Sequence, residues 1–347
     1  MEKTINNFVL KRKESNHPNS SRQRVAISDA VHVGCFDNSL EIIIRQNPPV
    51  RITEVPGIPP TDISAKNILV LNLNHPHAYG HIYSEVLSEL YAVDETYPEY
   101  DCVLTRTTPL IQNIINCFNL NISNKIKFID KSTKTYQLNF EQLEIVNHAP
   151  ITYINKTKNV LALKAAFHKS RPIINTPKPF VIFCSRSISR ARNGRNITEQ
   201  NENDVVEHLK RYSDENHLEF YFLTGEEPDG RTIPILKQYE LFSNAKIVVG
   251  PHGGVFSNLI FLDPAKKPKV IEFCPCPGKT FHKLFNGAID TFTEYYRVPF
   301  ILPPEVEYGI RNTNGPAKVT KTIEMLGHVD STIDLSEIKN LLPLTHK

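Results

Sequence analysis

Apolar and polar positions alternate with two different periods along the first half of the chain. Short apolar runs that suit buried strands are separated by longer segments with helical spacing. Strands and helices are predicted in turn at residues 68–71, 82–91, 102–104, 110–118, 126–129 and 161–167. Because strands that alternate with helices are typical of a parallel sheet, this half is expected to be an α/β domain.

The same pattern returns after a proline-containing segment at residues 171–179. Strands and helices are predicted in turn at residues 180–183, 203–212, 220–223, 234–242, 247–249, the segment after His252, and 270–273. The two halves together predict two Rossmann-like parallel-sheet domains, whose ligands bind beyond the carboxyl ends of the strands. An amphipathic segment at 335–342 is expected to form a closing helix.

The N-terminal region has a different pattern. Residues 1 to about 25 are polar and basic without an apolar period, and we expect a mobile or loosely packed arm, with contact to a membrane surface as the alternative. Short β-like runs at 40–44 and 50–55 are broken by proline and glycine and predict a small hairpin and a linker. The expected organisation is an arm with a short β segment at 1–65, Rossmann-like domains at 66–175 and 176–330, and a closing helix at 331–347.

Composition limits the classes of function. The chain has 347 residues, of which 40% are hydrophobic, and a formal charge of +3. This mild charge falls short of the concentrated positive field that nucleic-acid binding usually requires, so any preference for anions is expected to be local. No apolar stretch is long enough to cross a membrane and the first residues lack the apolar core of a signal peptide, which indicates a soluble protein.

Six cysteines are scattered along the chain, and several lie inside apolar runs. This distribution favours reduced, buried thiols over a disulfide framework. Cys274 and Cys276 do not have the spacing of a zinc knuckle, and no matching pair exists elsewhere. The sequence therefore predicts no metal site.

A turn of small residues joins the strand predicted at 247–249 to an apolar helix. It reads Gly250-Pro251-His252-Gly253-Gly254. Glycines let an anion approach the backbone N–H groups at a helix N-terminus, where the helix dipole favours negative charge. We therefore expect a phosphate site at this turn, bordered by His252 in either a neutral hydrogen-bonding role or a charged one.

Three further polar residues follow this turn. Ser257 and Asn258 lie on the first turns of the predicted helix and are candidate side-chain donors to the same ligand. Glu272 ends the next strand, where a carboxylate can accept hydrogen bonds from the hydroxyls of a ribose. The alternative for Glu272 is an ion pair with a neighbouring lysine or arginine.

Four arginines lie in the loop that follows the strand at 180–183. Arginine forks match phosphate oxygens, and this loop is expected to lie beside the His252 turn, so that a diphosphate could be held between them. Arg186 and Arg190, nearest the end of the strand, are the better candidates. The alternative is a basic loop that is only solvated.

Three histidines and a glutamate follow the strand at 68–71. An imidazole or a carboxylate there could take a proton from a hydroxyl. His81, at the start of a predicted helix, is the strongest candidate base, with Glu85 one turn further on the same face. The alternative is that His81 caps or packs against the helix, and the spacing of these residues does not indicate zinc.

Residues 247–273 resemble the signature block of glycosyltransferase family 61. That block usually reads Gly-Pro-His-Gly-Ala followed by a Thr-Asn or Ala-Asn helix, and here it reads Gly-Pro-His-Gly-Gly, then Ser-Asn-Leu-Ile-Phe-Leu and Val-Ile-Glu-Phe. Gly254 stands in place of the usual alanine, a small-for-small change that keeps the turn. The resemblance spans about residues 68–300, and its other parts are Ser185-Arg186, the stretch from Arg195 to Glu202, Gly80-His81 and Tyr295-Tyr296.

The resemblance implies a GT-B architecture, in which two Rossmann-like domains face a cleft. It also implies inverting, metal-independent transfer of a sugar, xylose or GlcNAc, from a UDP-sugar to a hydroxyl of a glycan or glycoprotein. Residues 66–175 would form the acceptor domain and 176–330 the nucleotide-sugar domain. No cofactor is implied, because the UDP-sugar is a substrate. The implied location is the cytoplasm of a bacterium or of a virus-infected host, and a secretory compartment only if a targeting segment has been removed.

An inverting transfer needs a base for the acceptor hydroxyl and a positive environment for the departing diphosphate, and the candidate residues offer both. Ser185, Arg186, Arg190 and the 250–254 turn, with Ser257 and Asn258, would bind the donor diphosphate, and Glu272 would bind its ribose. His81 or Glu85 would activate the acceptor hydroxyl.

Three other classes of function stay open. An epimerase or a dehydrogenase would need a Gly-x-Gly-x-x-Gly turn after its first strand, which residues 72–75 do not supply. A catalytically inactive nucleotide- or carbohydrate-binding relative would keep the fold and lack turnover. A basic nucleic-acid-binding protein would use the arm and the arginine loop, and its binding would depend steeply on salt.

Overall fold

A computed structural model describes most of the chain. The described residues are 21–25, 31–36, 39–44, 61–72, 79–129, 136–139, 142–147, 153–186, 196–226, 232–274, 285, 287–302, 304–311 and 331–345. The strand predicted at 50–55 and the candidate residue Arg190 lie outside these ranges.

The chain forms two compact units. The first comprises residues 1–78 and 85–163, and the second comprises residues 79–84 and 164–347. The short segment 79–84 therefore belongs with the C-terminal unit, although it precedes most of the N-terminal unit in the sequence.

The first unit contains two sheets. Their strands are β1 (Ser21–Val25), β2 (Val31–Phe36), β3 (Ser39–Ile44), β4 (Thr61–Ser64), β5 (Asn67–Asn72), β6 (Cys102–Arg106), β7 (Ile126–Ile129), β8 (Tyr136–Asn139) and β9 (Gln142–Asn147). The larger sheet has the order β1-β9-β5-β6-β7 and is parallel except for β1, which is antiparallel to β9. The smaller sheet has the order β3-β2-β8-β4.

Strands β5 and β6 were predictable because both are continuous apolar runs. Residues 68–71 are completely buried, as expected for a parallel strand that is covered on both faces. The expectation of an arm over residues 1–25 does not hold for Ser21–Val25, which pair with β9 along their whole length. An edge strand is joined to its sheet by backbone hydrogen bonds, and these require no apolar period.

Helices of the N-terminal half follow the predicted pattern with one departure. They are α1 (Tyr79–His81), a π-helix (Ile82–Leu87), α2 (Ser88–Tyr91), α3 (Val93–Thr96), α4 (Pro109–Cys117) and α5 (Tyr153–Ser170). The helix predicted at 82–91 thus starts earlier and is a π-helix over its middle. Since π-helices bond i to i+5, the four-residue spacing that was expected to put His81 and Glu85 on one face does not apply here.

The second unit contains one sheet of Rossmann type. Its strands are β10 (Phe180–Cys184), β11 (Glu219–Leu223), β12 (Ala245–Pro251), β13 (Lys269–Cys274), β14 (Glu294–Ile301) and β15 (Thr332–Ile333). Their order is β11-β10-β12-β13-β14-β15, and every pair is parallel except β14 with β15. Strand β14 was not predicted. Charged residues interrupt its apolar residues, so the strand is not a continuous apolar run in the sequence.

Helices of the second unit cover this sheet. They are α6 (Glu199–Glu215), α7 (Ile235–Ser243), 3₁₀-helices at Gly254–Phe261, Pro264–Lys266 and Ala288–Thr291, and helices at Pro304–Arg311 and Leu335–Leu341. Val205 and Leu209 of α6 and Ile338 of the last helix pack with the apolar residues of β10, β12 and β13 in one core. The segment after His252 is helical as predicted, but it is a tighter 3₁₀-helix.

The predicted α/β class with two Rossmann-like parallel sheets and small N-terminal strands is confirmed. That the two domains face a cleft stays a prediction. None of the helices that the structure describes is both long enough and apolar enough to span a bilayer.

Candidate functional site

The candidate site lies at the carboxyl ends of β10 and β12 in the second unit. These two strands are neighbours, yet the chain runs from β10 to β11 on one side before it returns to β12 on the other side. Such a reversal of strand order leaves a crevice at the carboxyl ends of the strands, where open α/β sheets bind their ligands. Ser185 and Arg186 follow β10, and the glycine turn begins at the end of β12, so these predicted residues meet at this point.

Gly250 allows β12 to lie close to β10. Its φ of 153° falls in a range that residues with a side chain rarely adopt. A Cβ at this position would also overlap the carbonyl oxygen of Cys184 and would lie 3.1 Å from the Cys184 Cβ. A glycine is therefore required where the strand enters the turn.

Arg186 lies directly on Gly253. A Cβ built on Gly253 would overlap Nη1 of Arg186 and would lie 3.3 Å from both its Cδ and its Cζ. The backbone of Gly253 is extended, with φ of −171°, so the residue is a glycine for reasons of space and not of conformation. The predicted encounter of Arg186 with the glycine turn is thus present, and it brings a guanidinium to a turn that leads into a helix.

Gly254 faces a different part of the second unit. A Cβ on Gly254 would lie 3.8 Å from the backbone nitrogen of Gly80 and 3.8 Å from the Cβ of Tyr79, which are ordinary van der Waals distances. The first residues of α1 therefore pack against the start of the 3₁₀-helix at 254–261.

His252, Glu272 and Tyr295 form a buried hydrogen-bonded chain. The Nδ1 atom of His252 lies 2.5 Å from Oε1 of Glu272, and the hydroxyl of Tyr295 donates to Oε2 of the same carboxylate. Glu272 is completely buried, and His252 is 6% exposed. The contact of Glu272 with ribose stays a prediction, and the contacts observed for its two oxygens are with His252 and Tyr295.

Ser257 and Asn258 are completely buried and bind other groups of the protein. The hydroxyl of Ser257 donates to the carbonyl oxygen of Gly254 at 2.7 Å. The amide of Asn258 donates to Oε1 of Gln238 at 2.6 Å, and its oxygen lies 2.8 Å from the hydroxyl of Tyr79. Both side chains thus stabilise the helix that follows the glycine turn.

Ser185 connects the end of β10 to α6. Its hydroxyl lies 3.0 Å from each carboxylate oxygen of Glu202 and donates to that carboxylate. Burial raises the pKa of Glu202, since the charged form loses water, and the Ser185 hydrogen bond acts in the opposite direction. Arg186 is the next residue, so this hydrogen bond holds the backbone from which the arginine projects.

The two candidate bases lie in different units. His81 belongs to the second unit with the rest of segment 79–84, and Glu85 belongs to the first unit. Glu85 forms an ion pair with Lys156 at 3.4 Å. Glu89, also in the first unit, is 4% exposed and accepts a hydrogen bond from Tyr97 at 3.2 Å. Burial, together with the charge of Glu85, raises the pKa of Glu89 to about 8.

The other end of the 3₁₀-helix is held by Lys164. Its buried amino group donates to the carbonyl oxygen of Ile260 at 3.0 Å and to that of Leu262. Burial lowers the pKa of Lys164 to about 7, so the group carries its positive charge below that pH. It also lies 3.0 Å from Nε2 of His168, whose Nδ1 lies 3.1 Å from the hydroxyl of Tyr239. A positive charge at the C-terminal end of a helix stabilises its carbonyl groups, so Lys164 supports the helix that starts at the glycine turn.

Several of these residues were not identified from the sequence. Glu202 and Tyr295 were noticed only as part of the family resemblance and received no role. Gln238, Tyr79 and Lys164 have no local signal, because their partners are far away in the sequence. Arg190 lies outside the described residues.

Comparisons with known proteins bear on this geometry. A search of curated proteins found no match. Among solved structures, TibC, titled a bacterial iron-containing dodecameric glycosyltransferase from enterotoxigenic E. coli H10407, is similar at 12% identity and a TM-score of 0.35, covering 74% of this chain and 77% of its own. TibC titled as a heptosyltransferase in complex with ADP-D-β-D-heptose has 12% identity and a TM-score of 0.39, covering 94% and 95%.

The E. coli heptosyltransferase WaaC with ADP is similar at 9% identity and a TM-score of 0.34, covering 67% of this chain and 93% of its own. Likenesses as weak as these carry no conclusion about this chain. The family comparison is stronger, because the Glycosyltransferase 61 family matches residues 79–268, from the start of α1 to the residue before β13. That range is more than half of the 347 residues and includes the whole glycine turn, so the chain belongs to glycosyltransferase family 61.

Proposed function

We propose that this glycosyltransferase catalyses inverting, metal-independent transfer of a sugar from a UDP-sugar to a hydroxyl of a glycan or glycoprotein, with xylose or GlcNAc as the sugar. The observation that carries the proposal is the guanidinium of Arg186 on Gly253, at the point where strand order reverses. An arginine at that place gives a crevice suited to a phosphorylated ligand.

A diphosphate suits this place because two positive contributions converge on it. The fork of Arg186 matches phosphate oxygens, and the start of the 3₁₀-helix at 254–261 contributes backbone N–H groups with partial positive charge. Arg190 is proposed to join Arg186, as expected from the sequence. His252 borders the same turn, and its ring is oriented by Glu272.

The proposed reaction needs a base and a stabilised leaving group. The oxygen of the acceptor hydroxyl attacks the anomeric carbon, and the bond from that carbon to the phosphate oxygen breaks, its electron pair staying on UDP. His81 and Glu85 are the proposed candidates for the base that takes the hydroxyl proton. Arg186 and the turn would stabilise the charge that develops on UDP, which is the role that a divalent cation has in metal-dependent transferases.

Four predicted donor-binding residues are proposed to act through their neighbours. Glu272 would orient His252, Ser185 would hold the backbone of Arg186, and Ser257 with Asn258 would stabilise the helix after the turn. These assignments follow from the side-chain contacts that each residue makes inside the protein.

Calorimetric titration with UDP tests the donor site directly. Arg186→Ala is expected to weaken binding at least tenfold, because a charge-assisted hydrogen bond contributes about 1.5–3 kcal/mol. Arg211→Ala on the exposed part of α6 is the matched control and should bind UDP like the unchanged protein. Equal binding of UDP by both variants would contradict the proposed site.

A panel of UDP-sugars, with and without EDTA, then tests the reaction. Release of UDP from one sugar donor, unchanged by EDTA, is the expected result. Binding of UDP without any turnover would identify a catalytically inactive relative. Binding of a short oligonucleotide with steep salt dependence and no preference for UDP would favour the nucleic-acid alternative.

A further inference from the structure

The turn that carries His81 is anchored to the donor side of the second unit. The hydroxyl of Tyr79 lies 2.8 Å from Oδ1 of Asn258 and 2.8 Å from Oε1 of Gln238, and donates its proton to one of them. Asn258 and Gln238 are in turn joined by a hydrogen bond of 2.6 Å. Three side chains from α1, α7 and the 3₁₀-helix thus form one polar network, in which Gln238 and Asn258 are buried and Tyr79 is half-buried.

Apolar packing holds the same turn from its other end. The ring of Tyr83 is completely buried and packs edge to face against Phe167 at 5.9 Å and Phe261 at 5.1 Å between ring centres. Phe167 and Phe261 also pack against each other at 5.2 Å. His81 lies between Tyr79 and Tyr83 in the sequence, so both neighbours restrict its backbone.

The anchored turn lies against the glycine turn. The Cβ and Cδ1 of Tyr79 and the backbone nitrogen of Gly80 are each 3.8 Å from the position that a Cβ on Gly254 would take. His81 follows Gly80 directly and is partly exposed. His81 therefore follows a residue whose backbone packs against Gly254, and Arg186 contacts the neighbouring Gly253 of the same turn.

Glu85 has different surroundings. It belongs to the first unit, where it pairs with Lys156 and lies near the buried carboxyl group of Glu89. The two candidate bases predicted from the sequence, His81 and Glu85, therefore lie among different neighbours.

We propose that His81 binds the donor diphosphate through its ring, together with Arg186, and that it is not the base for the acceptor. Tyr79 is a positioning residue, because its hydrogen bonds to Asn258 and Gln238 hold the His81 turn on the donor helix. Glu85 is then left as the candidate for the base. This inference rests on the proposed function, since it requires that a nucleoside diphosphate binds at the glycine turn.

Titration with UDP in the absence of any acceptor separates the two roles of His81. His81→Ala and His81→Gln are expected to weaken UDP binding about tenfold, as loss of a hydrogen bond to a charged group does, while Glu85→Gln leaves it unchanged. Tyr79→Phe is expected to weaken it several-fold. The matched control is Tyr97→Phe, which removes a tyrosine hydroxyl that is hydrogen-bonded in the first unit.

Each outcome has a defined meaning when melting temperatures show that the variants are folded. Normal UDP affinity in both His81 variants, with weakened binding in Arg186→Ala, overturns this inference and leaves the proposed function standing. Failure of the unchanged protein to bind UDP overturns the proposed function itself. An equal loss in Tyr79→Phe and Tyr97→Phe would remove the positioning role of Tyr79, because that loss would then be a general effect on the fold.

Transfer kinetics give a second readout that a purely structural role would not produce. With a saturating donor, the His81 variants should recover a larger share of their activity than Glu85→Gln, because only the former have a donor-binding defect. A loss of kcat in the His81 variants that saturating donor leaves unchanged would instead indicate the base.

Discussion

The guanidinium of Arg186 occupies the space that a side chain on Gly253 would need. A Cβ on Gly253 would overlap Nη1 of Arg186, although the extended backbone at Gly253 is open to any residue. Gly254, one residue further, has ordinary contact distances of 3.8 Å around its own missing Cβ. Two adjacent glycines therefore differ in what an added methyl group would displace.

Gly253→Ala is expected to weaken UDP binding about tenfold with little change in stability. The methyl group displaces the flexible end of Arg186 and not the backbone, and alanine lowers the entropy of the unfolded chain, which is worth about 0.4–1 kcal/mol. Gly254→Ala is the matched control and should bind UDP normally, since alanine is the residue usual in the family. Titration of both variants checks this, and similar affinities would be evidence against the role of Arg186.

Glu272→Ala is expected to lower stability by about 3–5 kcal/mol, because it removes one partner of a buried ion pair or hydrogen-bonded pair. Glu272→Gln keeps the shape of the side chain and one hydrogen-bond acceptor, so it should lower stability by less. Urea unfolding measures both. Glu294→Ala on the exposed face of β14 is the control and should stay within about 0.5 kcal/mol of the unchanged protein. A similar value for Glu272→Ala would contradict the buried network.

Glu89→Gln is expected to raise the melting temperature more at pH 8 than at pH 5. Burial raises the pKa of Glu89 from 4.5 to about 8, so the folded protein holds this proton more tightly than the unfolded chain does. The contribution of Glu89 to stability is therefore fully present below pH 4.5 and is lost as the pH rises towards 8, by up to about 5 kcal/mol. Glutamine removes this dependence.

The control for Glu89 is Glu95→Gln, an exposed carboxylate paired with Lys158 at 2.6 Å. Its effect on the melting temperature should not change between the two pH values. Parallel curves for Glu89→Gln and the unchanged protein would mean that Glu89 is ionised in the folded state.

His168→Gln is expected to reduce the loss of stability in acid. Burial and then the neighbouring Lys164 lower the pKa of His168 from 6.5 to about 4. The unfolded chain therefore takes up a proton here before the folded protein does, and this contribution to stability is lost as the pH falls from about 6.5 to 4. Melting temperatures over this range measure it, with His217→Asn at an exposed left-handed position as the control.

Much of the fold could be predicted from local pattern. Strands such as Phe180–Cys184 and Lys269–Cys274 are apolar throughout, since both faces of a parallel sheet are covered. The edge strand Ser21–Val25 could not be recognised, because its attachment to the sheet depends on backbone hydrogen bonds. The π-helix at Ile82–Leu87 could not be predicted as such, because its apolar spacing looks the same as that of an α-helix.

The candidate site was predictable where one short segment contains its chemistry. Gly250, His252 and Gly253 all lie in the segment 250–254, and the need for a turn of small residues before a helix can be seen in the sequence alone. The role of Glu272 could not be derived in this way. A strand-end carboxylate suits ribose or a protein partner equally well, and its contacts with His252 and Tyr295 depend on register and burial that the sequence does not show.

The sequence by itself determined the α/β class and the turn at residues 250–254, and it predicted that Arg186 lies beside that turn. These features can be recognised from the spacing of apolar residues and from a run of small residues. They also follow from the rule that parallel strands end at the same edge of a sheet. Tertiary structure alone decided that Glu272 meets His252 and Tyr295, and that the turn carrying His81 packs beside Gly254. Those contacts join residues that are far apart along the chain, so their energies depend on packing that no local pattern records.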